Sequence, residues 1–321
     1  MTQPSSGYSV PLAQVSAAGF PIFNRSSTIT VGPLSIKNIG SQSGLDVSFQ
    51  IKSSLKSKEP NHCDLKVWNL SADSLMQLGM SAQPSTIVAA PPTGVPSANG
   101  QPVQIIPVRI DAGYVGHTST IFLGELRSAQ SVTDGPDIVT ELNTGDGDVA
   151  LQLQRISANF AQGSTPLAVV QALLTQMGTG QGNLAAVKSL FQNAQGALFQ
   201  SGAVLKGNAA THLSDICSSV GVEFSIQGGQ AQFLPLGQPL AGQAYLLSPG
   251  TGLVGTPTVD TAGICSCTSF ILPGLVPGAP IQVSSVFVNG LFRIVSCEWV
   301  GETRGNSWYC KIEAQRFGLA P

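Results

Sequence analysis

The chain has 321 residues, of which 42% are hydrophobic and 10% charged, with a formal net charge of −2. Ordinary soluble domains carry roughly 25% charged residues, so this surface fits a protein covered by neighbours better than a free monomer kept apart by charge. The length suits two or three domains, and the near-neutral charge excludes nucleic-acid binding through clustered Lys and Arg.

Residues 1–27 are rich in Ser, Gly and Pro and read as an irregular arm. Residues 1–10 show no basic stretch leading into an apolar run, so no signal peptide is expected. Residues 44–53 alternate cleanly, with Leu45, Val47, Phe49 and Ile51 on one face and Asp46, Ser48, Gln50 and Lys52 on the other; this is the period of a half-buried strand. Residues 63–70 repeat the pattern, and Ser71 is placed to cap a short helix ending near Leu78. Five prolines between 81 and 102 predict a long surface loop, because Pro lacks the amide a sheet needs. Strands are expected at 103–110, 118–126 and 137–142, with turns at 111–114 and 144–148.

Near residue 164 the hydrophobic period changes from two to 3.6 residues. Thr165 as cap, Pro166 at the first position and Gly178 at the end delimit a helix, with Leu167, Val170, Leu174 and Met177 as its apolar stripe. A second helix is expected over 184–194 with Asn183 as its cap, and a third over 209–220. Alternation on both sides of Gly228-Gly229 predicts a β-hairpin, 222–227 with 230–233. Strands return at 262–271, 280–288, 291–299 and 307–315. The order is β, then a small α+β insert, then β.

Chemistry-bearing residues are sparse. The histidines are His62, His117 and His212. His212-Leu213-Ser214-Asp215 holds the residue types of a nucleophile triad, but neighbours on a helix point in different directions. Glu298 and Glu302 on one strand face would stand roughly 13 Å apart at ~3.3 Å per residue, beyond the ~5–9.5 Å of a glycosidase pair. Cys265 and Cys267 would share a strand face but lack a partner pair for zinc. Asp146-Gly147-Asp148 lacks the later ligands of a calcium loop, and residues 178–182 resemble a phosphate loop only in their glycines. The six cysteines, at 63, 217, 265, 267, 297 and 310, read as reduced, buried small hydrophobes. No apolar run approaches the ~20 residues of a membrane helix, and an outer-membrane barrel is disfavoured by the central helices and the 6% aromatic content. No catalytic, cofactor or metal residue is therefore assigned.

Several segments, in order, resemble phage baseplate hub proteins, the tail-tip hubs of tailed phages and related contractile injection machines. Asp111-Ala112-Gly113-Tyr114 followed by Ile121-Phe122-Leu123-Gly124-Glu125-Leu126, then 134–148, is similar to the family's first barrel. Leu272-Pro273-Gly274-Leu275-Val276-Pro277-Gly278 resembles its "NP-x-L-x-P-G" element, with Leu272 in place of Asn. Gly290-Leu291-Phe292-Arg293-Ile294-Val295 and residues 301–308 resemble its closing segment. The resemblance spans about residues 28–316. It implies a mainly β fold with an α+β insert, in which two tail-tube-like β barrels flank a small helix-plus-hairpin domain: an arm at 1–27, a first barrel at 28–160, the insert at 161–238 and a second barrel at 239–321. It further implies a non-enzymatic subunit of the virion baseplate, assembled in the host cytoplasm. The subunit would form a homotrimer around a channel for DNA and contact the tail tube, central spike, tape measure and other baseplate proteins. An oligomer also follows from the low charge, and a channel with little positive charge from the net balance. Rival readings are a receptor- or glycan-binding tail protein and a tail-associated cell-wall hydrolase.

Overall fold

Period-two alternation shapes both β regions, and the strands follow it closely. The computed structural model describes residues 23–40, 44–55, 60–78, 86–88, 106–147, 150–151, 154–193 and 202–317. The first region holds β1 (Arg25–Val31), β2 (Leu34–Ile39), β3 (Val47–Ser54), β4 (Asn61–Trp68), helix α1 (Ala72–Gln77), β5 (Thr86–Val88), β6 (Pro107–Tyr114), β7 (His117–Asp134) and β8 (Asp137–Asp146). A middle segment follows, with β9 (Arg155–Phe160), α2 (Pro166–Met177), α3 (Leu184–Asn193), β10 (Ala203–Asn208), α4 (Ala209–Ser219), β11 (Val222–Gln227) and β12 (Gln230–Pro235). The last region holds β13 (Tyr245–Leu247), β14 (Leu253–Val259), β15 (Ile264–Phe270), β16 (Pro280–Ser284), β17 (Asn289–Glu302) and β18 (Trp308–Arg316).

The fold is mainly β, and its largest unit among the described residues is one 14-stranded sheet whose main path runs β14-β15-β18-β17-β3-β4-β8-β7-β6-β1-β2, with β5, β13 and β16 pairing off it. Two separate barrels are expected from the sequence; among the described residues, strand pairing runs through both β regions and closes into no barrel. The reason is β17. Its first half pairs with β16, from Ser284↔Asn289 to Pro280↔Arg293. Its second half, beyond a bulge after Ile294, pairs antiparallel with β3 from Ser296↔Ser54 to Glu302↔Ser48. Thr303 secures the far end, its hydroxyl accepting from Val47 N–H at 2.8 Å and its own N–H donating to Val47 O at 2.9 Å.

The open sheet coils so that its two ends meet across one core. Phe49, Ile51, Leu65, Ile110, Phe292, Trp299, Trp308 and Ile312 belong to that core. Tyr114 on β6 meets Phe270 on β15 edge-on at 6.4 Å, and Phe49 meets Trp308 at 5.6 Å. Arg25, inside the stretch expected to be an irregular arm, lies over the Trp308 ring and donates to the carbonyls of Glu302, Gly305 and Asn306. The arm's residues 1–22 lie outside the described residues, as does most of the expected loop at 81–102; within that loop, β5 pairs with β7.

Other boundaries differ for local reasons. The expected turn at Asp111–Tyr114 is the end of β6. The chain reverses at Val115-Gly116, where Gly116 has φ 81°, between the paired Tyr114 and His117. Of the expected turn at 144–148, residues 144–146 are strand, since β8 runs on to Asp146, and residue 148 lies outside the described residues. The expected strand at 280–288 stops at Ser284, where Ser285 N–H donates to Val288 O and begins the next reversal. Of the expected strand at 103–110, residues 103–105 are outside the described residues and β6 begins at Pro107.

The middle segment follows its caps. Thr165 accepts from Ala168 N–H, Pro166 stands at the start of α2, and Gly178 closes it at φ 68°. Asn208 caps α4 in the same way. The buried stripe of α2 is Val169, Val170, Leu173, Leu174 and Met177, with Leu167 only partly buried, so the stripe is turned slightly from the expected one. Gly228 and Gly229, at φ 61° and 73°, form the two-residue turn of the β11–β12 hairpin that a primed turn requires. These elements bury their own core, including Phe191, Leu213, Phe224 and Phe233, distinct from that of the sheet.

Candidate assembly surfaces

The outward face of the sheet is polar across six neighbouring strands, β18-β17-β3-β4-β8-β7. Inward residues on these strands are mostly apolar, with buried Thr140 and Thr144 among them, so alternation leaves Ser, Gln, Asn, Lys and Glu outward. They pair across strands. Glu298 on β17 accepts from Gln50 on β3 and from Lys311 on β18 at 3.3 Å, with Lys52 Nζ at 3.9 Å. Glu141 on β8 accepts from Lys66 on β4 at 2.8 Å and from Gln130 on β7 at 2.7 Å. Asn143 donates to Asp64 at 2.8 Å, and Ser296 to Glu313 at 2.8 Å. Lys52, Lys66 and Lys311 thus each face a carboxylate. The Lys66 and Gln130 hydrogen bonds hold the Glu141 carboxyl below its ordinary range. For Glu298, partial burial raises the pKa, but the hydrogen bonds from Gln50 and Lys311 and the nearby lysines outweigh it, and the net shift is downward.

At one rim of this face the middle segment meets the sheet, and the joint is largely polar. Asp146 at the end of β8 is 3% exposed. Its carboxylate accepts from the backbone N–H of Gly228 at 2.8 Å and of Gly229 at 2.7 Å. Asn61 at the start of β4 donates to Ile226 O at 3.0 Å and to Asp146 at 3.2 Å, and Gln227 donates to Ser54 O at 2.7 Å. Buried Arg293 on β17 makes a two-pronged ion pair with Glu223 on β11. Gln232 donates to Pro277 O at 3.1 Å, and Leu240 N–H to Gly278 O at 2.7 Å.

A third feature is the β16–β17 turn. Val286 and Phe287 are 88% and 77% exposed, on a turn fixed by hydrogen bonds between Ser285 and Val288 and from Asn289 to Ser285 O.

The residues weighed for chemistry are dispersed. His62 lies on β4 opposite Lys52, His117 opens β7, and His212 on α4 sets its ring against Lys206 O at 3.2 Å. Glu298 is engaged in the ladder described, while Glu302, four residues on, lies at the end of β17 where its backbone carbonyl receives Arg25. Cys265 and Cys267 do share the inward face of β15, and all six cysteines are free and buried. Burial pushes the Cys63 thiol up, and that of Cys217 up to about 12. Asp146, read as part of a turn or a faint calcium loop, is the residue sequence reasoning missed. The Gly-Gly turn it binds was legible, but nothing local to Asp146 signals a partner about 80 residues away.

The Baseplate hub gp41 family model matches residues 28–314. No curated protein matches the chain in sequence. Among solved structures, a tail protein from Neisseria meningitidis MC58 aligns with TM-score 0.57 at 10% identity, over 92% of this chain and 98% of its own. The 43 kDa tail protein of prophage MuSo2 from Shewanella oneidensis aligns with TM-score 0.57 at 11% identity, over 91% and 98%. An E. coli component of the type VI secretion system aligns with TM-score 0.52 at 12% identity, over 91% and 79%. At such identities these structures share the fold.

Proposed function

Because the chain belongs to the Baseplate hub gp41 family, and so is a structural component of a phage-type tail, we propose that it is the hub subunit that joins the tail tube to the central spike. In this reading it forms a homotrimer whose lumen passes DNA, and it meets the tape measure and other baseplate proteins. The two β regions, though joined in one sheet, act as two tube-wall units flanking the helix–hairpin segment. Three copies then present six such units to a sixfold tube.

The observation that carries the channel reading is the polar face of the sheet. It spans both β regions through the β3–β17 pairing, and its lysines lie against carboxylates. Each phosphate neutralised by a free cation adds salt-sensitive grip. A wall whose cations already have partners offers little of it, which suits a polyanion that must slide. Mixed with Ser, Gln and Asn, the face supports the reading of a lumen without positive rings.

The baseplate role rests on the family and the channel on this face; neither calls for catalysis. The test is reconstitution. The purified chain, mixed with the tube and spike proteins encoded in the same genome, is expected to form a complex with both on size exclusion. Failure to bind either, together with clearing on a peptidoglycan zymogram or retention on a glycan array, would replace the hub reading with the hydrolase or the receptor-binding one.

A further inference from the structure

The molecule holds two cores that do not merge, and the joint between them is made of hydrogen bonds. The middle segment leaves the sheet after Gly147 and returns before Leu240, so it is tethered only at its base. Its own helices and hairpin bury Leu173, Phe191, Leu213 and Phe233 without help from the sheet. A few apolar side chains also cross the joint: Ile226 lies against Gly147, Leu123 against Gly228, and Leu234 against Gly278. What fixes the segment is Asp146, a buried carboxylate aimed at two backbone N–H groups of a glycine turn, backed by Asn61 and by the Arg293–Glu223 pair. Polar joints between bodies with separate cores permit relative motion, and hydrogen bonds to a charged group each contribute about 1.5–3 kcal/mol.

We infer that the helix–hairpin segment is a hinged body, latched to the rim of the sheet by Asp146, that swings away from the sheet with its own core intact. This holds whether or not the polar face lines a channel. The latch is built to release cleanly. Once the Gly228-Gly229 turn withdraws, its amides and the Asp146 carboxylate both meet water.

Hydrogen–deuterium exchange on the full chain tests it, with Asp146→Ala and Glu223→Gln compared with wild type. In both variants the amides of Gly228 and Gly229 are expected to exchange ~10- to 100-fold faster, the loss of one charged hydrogen-bond set at tenfold per ~1.4 kcal/mol. Amides of α2 and α4 should keep wild-type protection. If α2 and α4 lose protection in step with the rim, the molecule is one cooperative unit and the hinge is wrong. Unchanged exchange at the rim would also overturn it. Should Asp146→Ala not fold, Glu223→Gln carries the same readout, since Gln keeps the size of the side chain and one oxygen acceptor for Arg293, and the side chain is 27% exposed.

Discussion

Arg25 offers a sharp test of how the sheet closes on itself. Its guanidinium donates to Glu302 O at 3.1 Å, Gly305 O at 2.7 Å and Asn306 O at 3.1 Å, and stands 5.6 Å from the Trp308 ring centre. These contacts tie the first strand of the sheet to the β17–β18 turn, which strand pairing leaves far away. Arg25→Ala frees three carbonyls that water can reach, so each lost hydrogen bond costs about 0.5–1 kcal/mol rather than the full value for a buried site. The lost stacking adds about 0.5–1 kcal/mol. The sum is ~2–4 kcal/mol, or about 3–6 °C in Tm for a chain of this size, read by differential scanning calorimetry. Arg25→Lys keeps the charge but not the planar fork that spans three acceptors, and should recover less than half of the loss. A Tm within ~1 °C of wild type for the alanine variant, or full rescue by lysine, would refute a fork-shaped clamp.

Phe233→Ala should destabilise the middle segment by ~3–5 kcal/mol, since Phe233 is fully buried against Phe191 and Phe224 at 6.4 and 5.5 Å; urea melts followed by exchange at α2 check this. Stability should fall in alkali: the unfolded chain releases the Cys217 proton near the ordinary thiol value, whereas the folded chain keeps it up to about 12. That contribution is complete below the unfolded value and lost as pH rises through the folded one, so Cys217→Ala should lessen the fall of urea midpoints between pH 9 and 11, the other raised thiols keeping the rest. Replacing Glu141 and Glu298 together by Gln should unmask Lys52, Lys66 and Lys311, giving salt-sensitive retention of a short DNA duplex that wild type lacks, by fluorescence anisotropy.

Much of the fold was legible because it is local. Strand alternation at Val47–Ile51, the Thr165-Pro166 start and Gly178 end of α2, and the Gly228-Gly229 turn each carry their signal within a few residues. β1 and β2 were not named because Ser, Thr and Asn interrupt their alternation, and buried Ser27 and Asn38 break the apolar stripe. β7 is 18 residues long, yet its later half, Ser128 to Asp134, is too polar to declare itself. The junction of the β regions was hidden for a different reason. Val47 and Thr303 are 256 residues apart, and strand pairing at that range leaves no period in the sequence. Asp146 was hidden likewise, because its burial depends on a turn contributed from elsewhere in the chain.

The most direct test of the hub reading is a cryo-EM map of the assembled oligomer, with native mass spectrometry to count its chains. Three copies are expected, with Glu298, Gln50, Asp64, Asn143 and Glu141 facing the lumen and Lys52, Lys66 and Lys311 paired to carboxylates along its wall. A chain that stays monomeric with its spike partner, or a pore ringed by unpaired Lys and Arg, would contradict it.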